Sequence, residues 1–203
     1  TFADRLAVIS DTLSSFVAPR PQRGVELRSQ DVYFTGVPIG AAGEVITHVL
    51  RVRHTGEAGA SETFSITAQG NQWPGELSAS SVTLKPCESA LITVTTHVPL
   101  SVTRDQVNQI TIQATSPNAT ASIVFTSKTP GSILLIDDDL FYDVEQEFID
   151  PLRANGNLSL DRFTTSLDPS PPSTLLQASP PITLLKRYPL VVWFNGYNWF
   201  DPI

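Results

Sequence analysis

Hydrophobic and polar positions alternate through the middle of the chain, between residues 24 and 129. In VITHVLRVRH (45–54) and ETFSITAQG (62–70), this alternation is the pattern of a β-strand with one buried face. Similar short segments lie at 25–34, 80–86, 89–99, 107–117 and 120–128. Turn-forming residues separate the segments, as in HTGEAGAS, KPCES and SPNAT. About six or seven short strands without an intervening helical period predict an antiparallel β-sandwich.

The pattern is helical before residue 24. Apolar residues recur there at intervals of three or four, namely at Phe2, Leu6, Ile9, Leu13 and Phe16. This spacing places them on one face of a helix, and the proline at position 19 would end it. Residues 1–23 are therefore predicted to form a helical lead-in or linker.

The pattern changes again after residue 130. SILLIDDD (132–139) contains a continuous apolar run, which is typical of a strand buried on both faces. Helical spacing follows over 140–154, and ITLLKRY (182–188) predicts a short second helix. A second strand is predicted at 158–165, and a proline-rich loop follows it at 166–181. A third strand, again buried, is predicted at 189–196. The alternation predicts a parallel sheet in the order 2-1-3, and so an incomplete α/β domain over 130–203.

Composition and charge exclude several functional classes. The net charge is −7 and the 13 Lys and Arg residues are scattered, whereas nucleic-acid binding requires a clustered basic surface. The single cysteine, Cys87, rules out a disulfide within the chain and a cysteine-rich zinc site. No apolar run reaches the length of about 18–20 residues that a membrane-spanning helix needs. Because the chain contains no methionine, we expect it to be part of a longer protein.

The run GNQWPGELSASSVTLKPCESALITVTTHVP (70–99) resembles a known accessory domain. It is similar to the Ig-like NEW3-type (alpha-galactosidase-associated) module that lies beside catalytic domains in many secreted bacterial enzymes. The matching residues are Trp73, Pro74, Val82, Leu84, Pro86, Glu88, Ser89, Ile92, Val94, Val98, Pro99 and 114–116. The chain departs from the family at Cys87, where glycine is usual. The resemblance implies a sandwich that spaces, docks or binds, without catalysis.

A second resemblance covers ILLIDDD (133–139), FYDVEQEFIDPLRANG (141–156) and RYPLVVWFNG (187–196). These segments are similar to the opening of glutamine-amidotransferase-like (flavodoxin-like) domains in large secreted bacterial proteins, including some peptidases. The predicted fold is thus multi-domain: an all-β Ig-like antiparallel sandwich over 24–129, followed by a partial α/β flavodoxin-like parallel sheet. An amidotransferase needs a cysteine nucleophile on a later strand with histidine and glutamate partners. No residue here matches that set, so the resemblance assigns no catalytic residue.

The acidic residues after the first apolar strand form a candidate ligand site. Asp137, Asp138 and Asp139 end that strand, and Asn195 ends the third, so both groups are predicted at one rim of the sheet. Clustered carboxylates suit Mg²⁺ or Ca²⁺. The alternative is that at least one aspartate caps the following helix. A receiver domain would need a phospho-accepting aspartate where Asn195 stands.

Three aromatic residues are candidates for a binding contact. Trp73 packs in the sandwich core or, if exposed, stacks on a sugar, and Tyr33 and Phe34 are candidates for an exposed contact with a carbohydrate or a protein. His48, His54 and His97 lie in predicted strands. His48 and His97 could share a sheet, but without nearby carboxylates they are interpreted as ordinary strand residues.

The predicted function is architectural: a non-catalytic accessory region of a secreted or cell-surface bacterial protein that positions neighbouring modules. The chain alone is not expected to be an enzyme or to need a cofactor. The alternatives are a carbohydrate- or protein-binding adhesin module and a hydrolase or peptidase fragment with a ligand site at the Asp-rich rim. The expected partners are neighbouring domains of the parent chain, or a second copy bound through 189–203.

Overall fold

The computed structural model describes residues 24–56, 59, 61–138, 146–154, 159–167 and 176–194. The predicted helix at 1–23, Asp139 and Asn195 therefore lie outside the described residues. Within the described part of the chain, no helix is long and apolar enough to cross a membrane.

Two four-stranded antiparallel sheets form a β-sandwich. The first has the order β1-β2-β6-β4, with β1 at Val25–Ser29, β2 at Val45–His54, β6 at Ser89–His97 and β4 at Gly75–Leu77. The second has the order β5-β3-β7-β8, with β5 at Ser81–Leu84, β3 at Glu62–Gln69, β7 at Val107–Thr115 and β8 at Thr120–Lys128. The division into β1-β2-β6 and β3-β7-β8 is the A-B-E and C-F-G arrangement of Ig-like sandwiches. The predicted Ig-like sandwich is therefore confirmed.

Alternating residues of both sheets meet in the sandwich core. Leu50 of β2 and Ile92 of β6 pack against Phe64 of β3 and Ile110 of β7, and all four are at most 1 % exposed. Burying each of these side chains contributes about 1.5–3 kcal/mol. The strand β4 lies between the predicted strands at 62–70 and 80–86 and was not itself predicted. It is a three-residue edge strand, too short to leave an alternating pattern.

A three-stranded parallel sheet follows the sandwich. Its central strand β9 (Ile133–Asp137) is buried at every position, and Ile133 lies opposite both Leu160 of β10 (Leu160–Thr164) and Leu190 of β13 (Leu190–Phe194). The order β10-β9-β13 confirms the predicted parallel sheet and its 2-1-3 order. Helix α1 spans Gln146–Ala154 and α2 spans Ile182–Leu185.

Two predictions for this sheet need correction. The strand β13 is not buried on both faces, because it is the last described strand on its side of the sheet, and Leu190 and Trp193 are 47 % and 43 % exposed. The predicted loop at 166–181 contains two short paired strands, β11 (Ser166–Leu167) and β12 (Leu176–Gln177). Two-residue strands are set by their partner and carry no sequence period.

Candidate functional site

The segment between β1 and β2 joins the sandwich to the parallel sheet. The ring of Phe34 stacks on Phe163 of β10, with ring centroids 5.6 Å apart, and the backbone N–H of Thr164 donates to the Phe34 carbonyl at 2.8 Å. Ile39 packs in the same apolar cluster as Leu134 of β9. The two parts of the chain thus share one hydrophobic cluster at their junction.

A buried polar network lies beside this cluster. Asp161 of β10 accepts hydrogen bonds at 2.7 Å from the Gly131 backbone N–H and from the Tyr188 hydroxyl. Its other oxygen lies 2.6 Å from Nζ of Lys128, which also pairs with Asp105. Burial, together with Asp161, raises the pKa of Tyr188, so this hydroxyl stays a donor. Burial lowers the pKa of Lys128, but its two carboxylate partners outweigh burial and the net shift is upward. The network therefore holds Lys128 and Asp161 as an ion pair.

Two arginines extend the junction. Nη1 of Arg104 donates to the carbonyl oxygens of Gly131 and Arg187, at 2.7 Å and 3.2 Å. Arg187 donates to the Ile39 carbonyl and pairs with Glu44 at 2.8 Å. These contacts link the loop after β6, the segment before β2 and the turn after α2.

The acidic rim of the parallel sheet holds two described aspartates. Asp137 pairs with Arg162, whose Nε lies 2.9 Å from Oδ2, and Asp138 accepts from the Thr165 hydroxyl at 2.9 Å and from Trp193 Nε1 at 3.3 Å. Both carboxylates are 1 % exposed. Among the described residues, no group of three or more His, Cys, Asp or Glu side chains could hold a metal ion. The predicted convergence with Asp139 and Asn195 lies outside the described residues.

The three predicted aromatic contacts fall into two environments. Trp73 is 1 % exposed and packs with Ile46 and Val98 at one end of the sandwich core, so its ring offers no stacking surface. Tyr33 and Phe34 instead line an open depression of about 360 Å³ at the junction, together with Phe163 and Leu184. The contact role of Tyr33 and Phe34 stays a prediction.

The histidines are closer to carboxylates than the sequence predicts. Nδ1 of His48 lies 3.3 Å from Asp31 and 3.2 Å from the Tyr33 hydroxyl, beside a depression of about 290 Å³. Burial lowers the pKa of His48, although Asp31 acts in the opposite direction. The pKa of Tyr33 is raised, mainly by burial and also by the negative charge of Asp31. Nε2 of His54 lies 3.4 Å from the buried carboxylate of Glu62. The interpretation without acidic neighbours is therefore wrong for His48, and His54 also has a carboxylate beside it.

Sequence reasoning missed the charged residues of the junction. Asp161 could have been noticed, because it alternates with Phe163 along β10 and therefore lies on the buried face of that strand. A carboxylate at such a position needs polar partners. Lys128, Arg104 and Arg187 carry no such signal, since they come together only through contacts between distant segments.

No protein-family model matches the chain, and no curated protein matches it significantly. Among solved structures, PapD-like domain 7 of human CEP192 is 13 % identical with a TM-score of 0.39, covering 55 % of this chain and 89 % of that one. A FixG-related protein from Vibrio parahaemolyticus is 11 % identical with a TM-score of 0.37, covering 54 % of this chain and 98 % of that one. WR4, an MSP family member from C. elegans, is 13 % identical with a TM-score of 0.31, covering 46 % and 90 %.

The strand order itself defines the first part of the chain as a β-sandwich of two antiparallel sheets. By that order, the chain combines an Ig-like β-sandwich with a three-stranded parallel sheet.

Proposed function

We propose that this chain is a non-catalytic accessory region in which the sandwich holds the parallel-sheet unit in a fixed orientation. The observation that carries the proposal is the buried Lys128–Asp161 ion pair, which joins the end of β8 to β10. Units that only share a linker are expected to move relative to one another. Here an apolar cluster and the polar network around Asp161 span the junction, and both favour a single orientation.

The wider setting of the proposal comes from the two resemblances. A NEW3-type sandwich followed by a flavodoxin-like domain belongs to large secreted or cell-surface bacterial proteins, and we propose the same setting for this chain. The turn at Lys85–Glu88 supports the NEW3-type part, because Pro86 precedes a residue at positive φ where that family has glycine. The 2-1-3 parallel order supports the flavodoxin-like part.

Cooperative unfolding tests the support function. Trp73 lies in the sandwich and Trp193 in the parallel sheet, so each can report on its own unit. One variant keeps only Trp73 (W193F/W199F) and the other keeps only Trp193 (W73F/W199F). In each variant, we expect the urea unfolding curve followed by tryptophan fluorescence to coincide with the one followed by circular dichroism. Each curve is compared with the circular dichroism transition of the same variant, so that a change in overall stability is not mistaken for uncoupling. Separate transitions within either variant would refute the proposed rigid support.

A second candidate function is binding of a carbohydrate or a peptide at the junction. It is favoured by the open depression of about 360 Å³ that Tyr33 and Phe34 line, since their rings offer apolar faces on which a sugar or a peptide side chain can pack. A glycan and peptide array probed with the wild-type chain and with Tyr33→Ala tests this function. Signals that the variant loses would support it, and an array without signals would remove it.

We further propose that the exposed edge of the parallel sheet contacts a second copy of the chain. Leu190 and Trp193 are large apolar side chains that are nearly half exposed on β13. Self-association would cover them, so light scattering is expected to show a dimer that Trp193→Arg dissociates. A monomer at all concentrations would leave only neighbouring modules as partners.

A further inference from the structure

A small cavity with two arginines in its wall lies where the sandwich meets the turn after α2. Its volume is about 180 Å³, and its lining includes Ala41, Thr103, Arg104, Thr129, Pro130 and Arg187. At roughly 30 Å³ per water molecule, this space could hold a small polyatomic ion with some of its water. The charged residues among the described lining are Arg104 and Arg187, and the carboxylate of Glu44 pairs with Arg187 at 2.8 Å from outside that lining.

Both guanidinium groups keep donors that the protein does not use. Within the described part of the chain, Arg104 donates from Nη1, whereas its Nε and Nη2 have no protein acceptor there. Arg187 uses Nη1 for the Ile39 carbonyl and Nη2 for Glu44, which leaves a second N–H on each of these nitrogens. Its Nε is buried without an acceptor in the described part of the chain.

The backbone contacts of the two residues fix them next to each other. Nη1 of Arg104 lies 3.2 Å from the Arg187 carbonyl oxygen and 2.7 Å from that of Gly131. A guanidinium group that is already held in place loses little side-chain entropy when it binds an anion. Its planar arrangement of N–H groups also matches the oxygens of carboxylate and phosphate.

We propose that this cavity binds a small oxyanion, a phosphate or a carboxylate, between Arg104 and Arg187. The bound anion would contact Arg104 from the sandwich and Arg187 from the parallel-sheet unit, and so tighten the junction between them. The inference goes beyond the support function and does not depend on it, because the site is defined by its own donors.

Titration of the 203-residue chain with sodium phosphate and with sodium acetate, each at ionic strength matched by sodium chloride, tests the site. We expect saturable binding of at least one anion by calorimetry. Binding should be about ten-fold or more weaker in Arg104→Gln, since one charge-assisted pair is lost. Arg53→Gln, which removes an equal charge from an exposed position of β2 outside the cavity lining, should bind as the wild type does.

A second measurement keeps the test valid if Arg104→Gln does not fold. In the wild-type chain, ¹H–¹⁵N spectra should show anion-dependent shifts at Thr103, at Arg104 and at the Nε–H of Arg187. Shifts with phosphate alone or acetate alone would identify the class of anion. The proposal is overturned by the absence of saturable binding, by shifts confined to other residues, or by a folded Arg104→Gln that binds with wild-type affinity.

Discussion

Lys128, the last residue of β8, places its ammonium group 2.6 Å from the carboxylate of Asp161 on β10. The two side chains are 15 % and 5 % exposed, so this ion pair between the sandwich and the parallel sheet is largely removed from water. The remaining oxygen of Asp161 accepts from Gly131 and Tyr188. Every partner is thus placed for a charged carboxylate, and the junction depends on that charge.

Replacing Asp161 with asparagine is therefore expected to destabilise the chain. The change leaves a mostly buried Lys128 with one carboxylate partner and puts an amide where Gly131 and Tyr188 both donate. Breaking a buried pair from one side costs about 3 kcal/mol. Urea denaturation followed by circular dichroism measures this loss in the free energy of unfolding.

Asp105→Asn is the matched control, because Asp105 pairs with the same lysine but is 45 % exposed. An exposed ion pair contributes about 1 kcal/mol or less. Asparagine also tolerates the positive φ of 61° at this position. Equal losses for the two variants would show that burial of the Lys128–Asp161 pair has no special importance.

Cys87 occupies a backbone position that favours glycine. Its φ is 65°, and the Glu88 N–H donates to the Lys85 carbonyl at 3.0 Å, so residues 85–88 form a turn with Pro86 at its second position and Cys87 at its third. Turns of this kind take glycine at the third position, because other side chains strain the backbone there. Relief of this strain exceeds the added entropy of the unfolded chain.

Cys87→Gly is therefore expected to stabilise the chain by about 0.5–1 kcal/mol. The urea midpoint should rise with an unchanged slope. Cys87→Ala removes the thiol but keeps a β-carbon, so it separates the backbone effect from loss of the sulfur. A gain in the alanine variant as large as that in the glycine variant would contradict the explanation.

Sequence patterns predict most strands of this fold but not the strain in the turn at 85–88. Alternation predicted the paired strands of the sandwich because one buried face imposes a period of two, as at Ile46 and Leu50. The continuous apolar run at 133–136 predicted the central parallel strand because both of its faces are covered. Comparison with the NEW3-type pattern identified Cys87 at a position where glycine is usual. The backbone strain at Cys87 follows only from its φ of 65°.

The candidate site was less predictable because its residues meet through tertiary contacts. Asp161 and Lys128 lie on strands of different sheets, and Arg104 meets Arg187 from a distant loop. The hydrophobic periodicity of a single segment cannot predict contacts between residues that are far apart in the sequence. The role of Trp73 was ambiguous for another reason, because tryptophan is common both in cores and at binding surfaces. Its burial in the structure decides for the core.

The stacked rings of Phe34 and Phe163 are expected to couple the two parts of the chain energetically. Their centroids lie 5.6 Å apart with an interplanar angle of 19°. Phe34→Ala should cost about 2 kcal/mol, since Phe34 is only partly buried. A double-mutant cycle with Phe163→Ala should give a coupling energy of about 0.5–1.5 kcal/mol.

The cycle is measured by urea denaturation of the four proteins under one condition. Phe64, which packs inside the sandwich core, supplies the control, because Phe34→Ala and Phe64→Leu should add without coupling. A coupling energy near zero for the Phe34–Phe163 pair would show that the ring contact contributes nothing beyond ordinary burial.

His48 is expected to make stability depend on pH below neutrality. Burial lowers its pKa from the usual 6.5 in the folded chain, although Asp31 acts in the opposite direction. Below pH 6.5 the unfolded chain therefore binds a proton that the folded chain takes up only at lower pH. The unfolded state then holds more protons, so the free energy of unfolding falls as the pH drops below 6.5 and is constant, for this group, above it.

Urea midpoints at pH 8, 6.5 and 5 measure this slope for the wild type and for His48→Gln, which cannot titrate. The variant should lose part of the decline between pH 6.5 and 5, although the carboxylates still contribute at the acid end. His97→Gln is the matched control for the loss of an imidazole ring, because His97 is exposed on β6. If His48→Gln and the wild type declined in parallel, His48 would be protonated equally in both states, and its burial beside Asp31 and Tyr33 would not govern its titration.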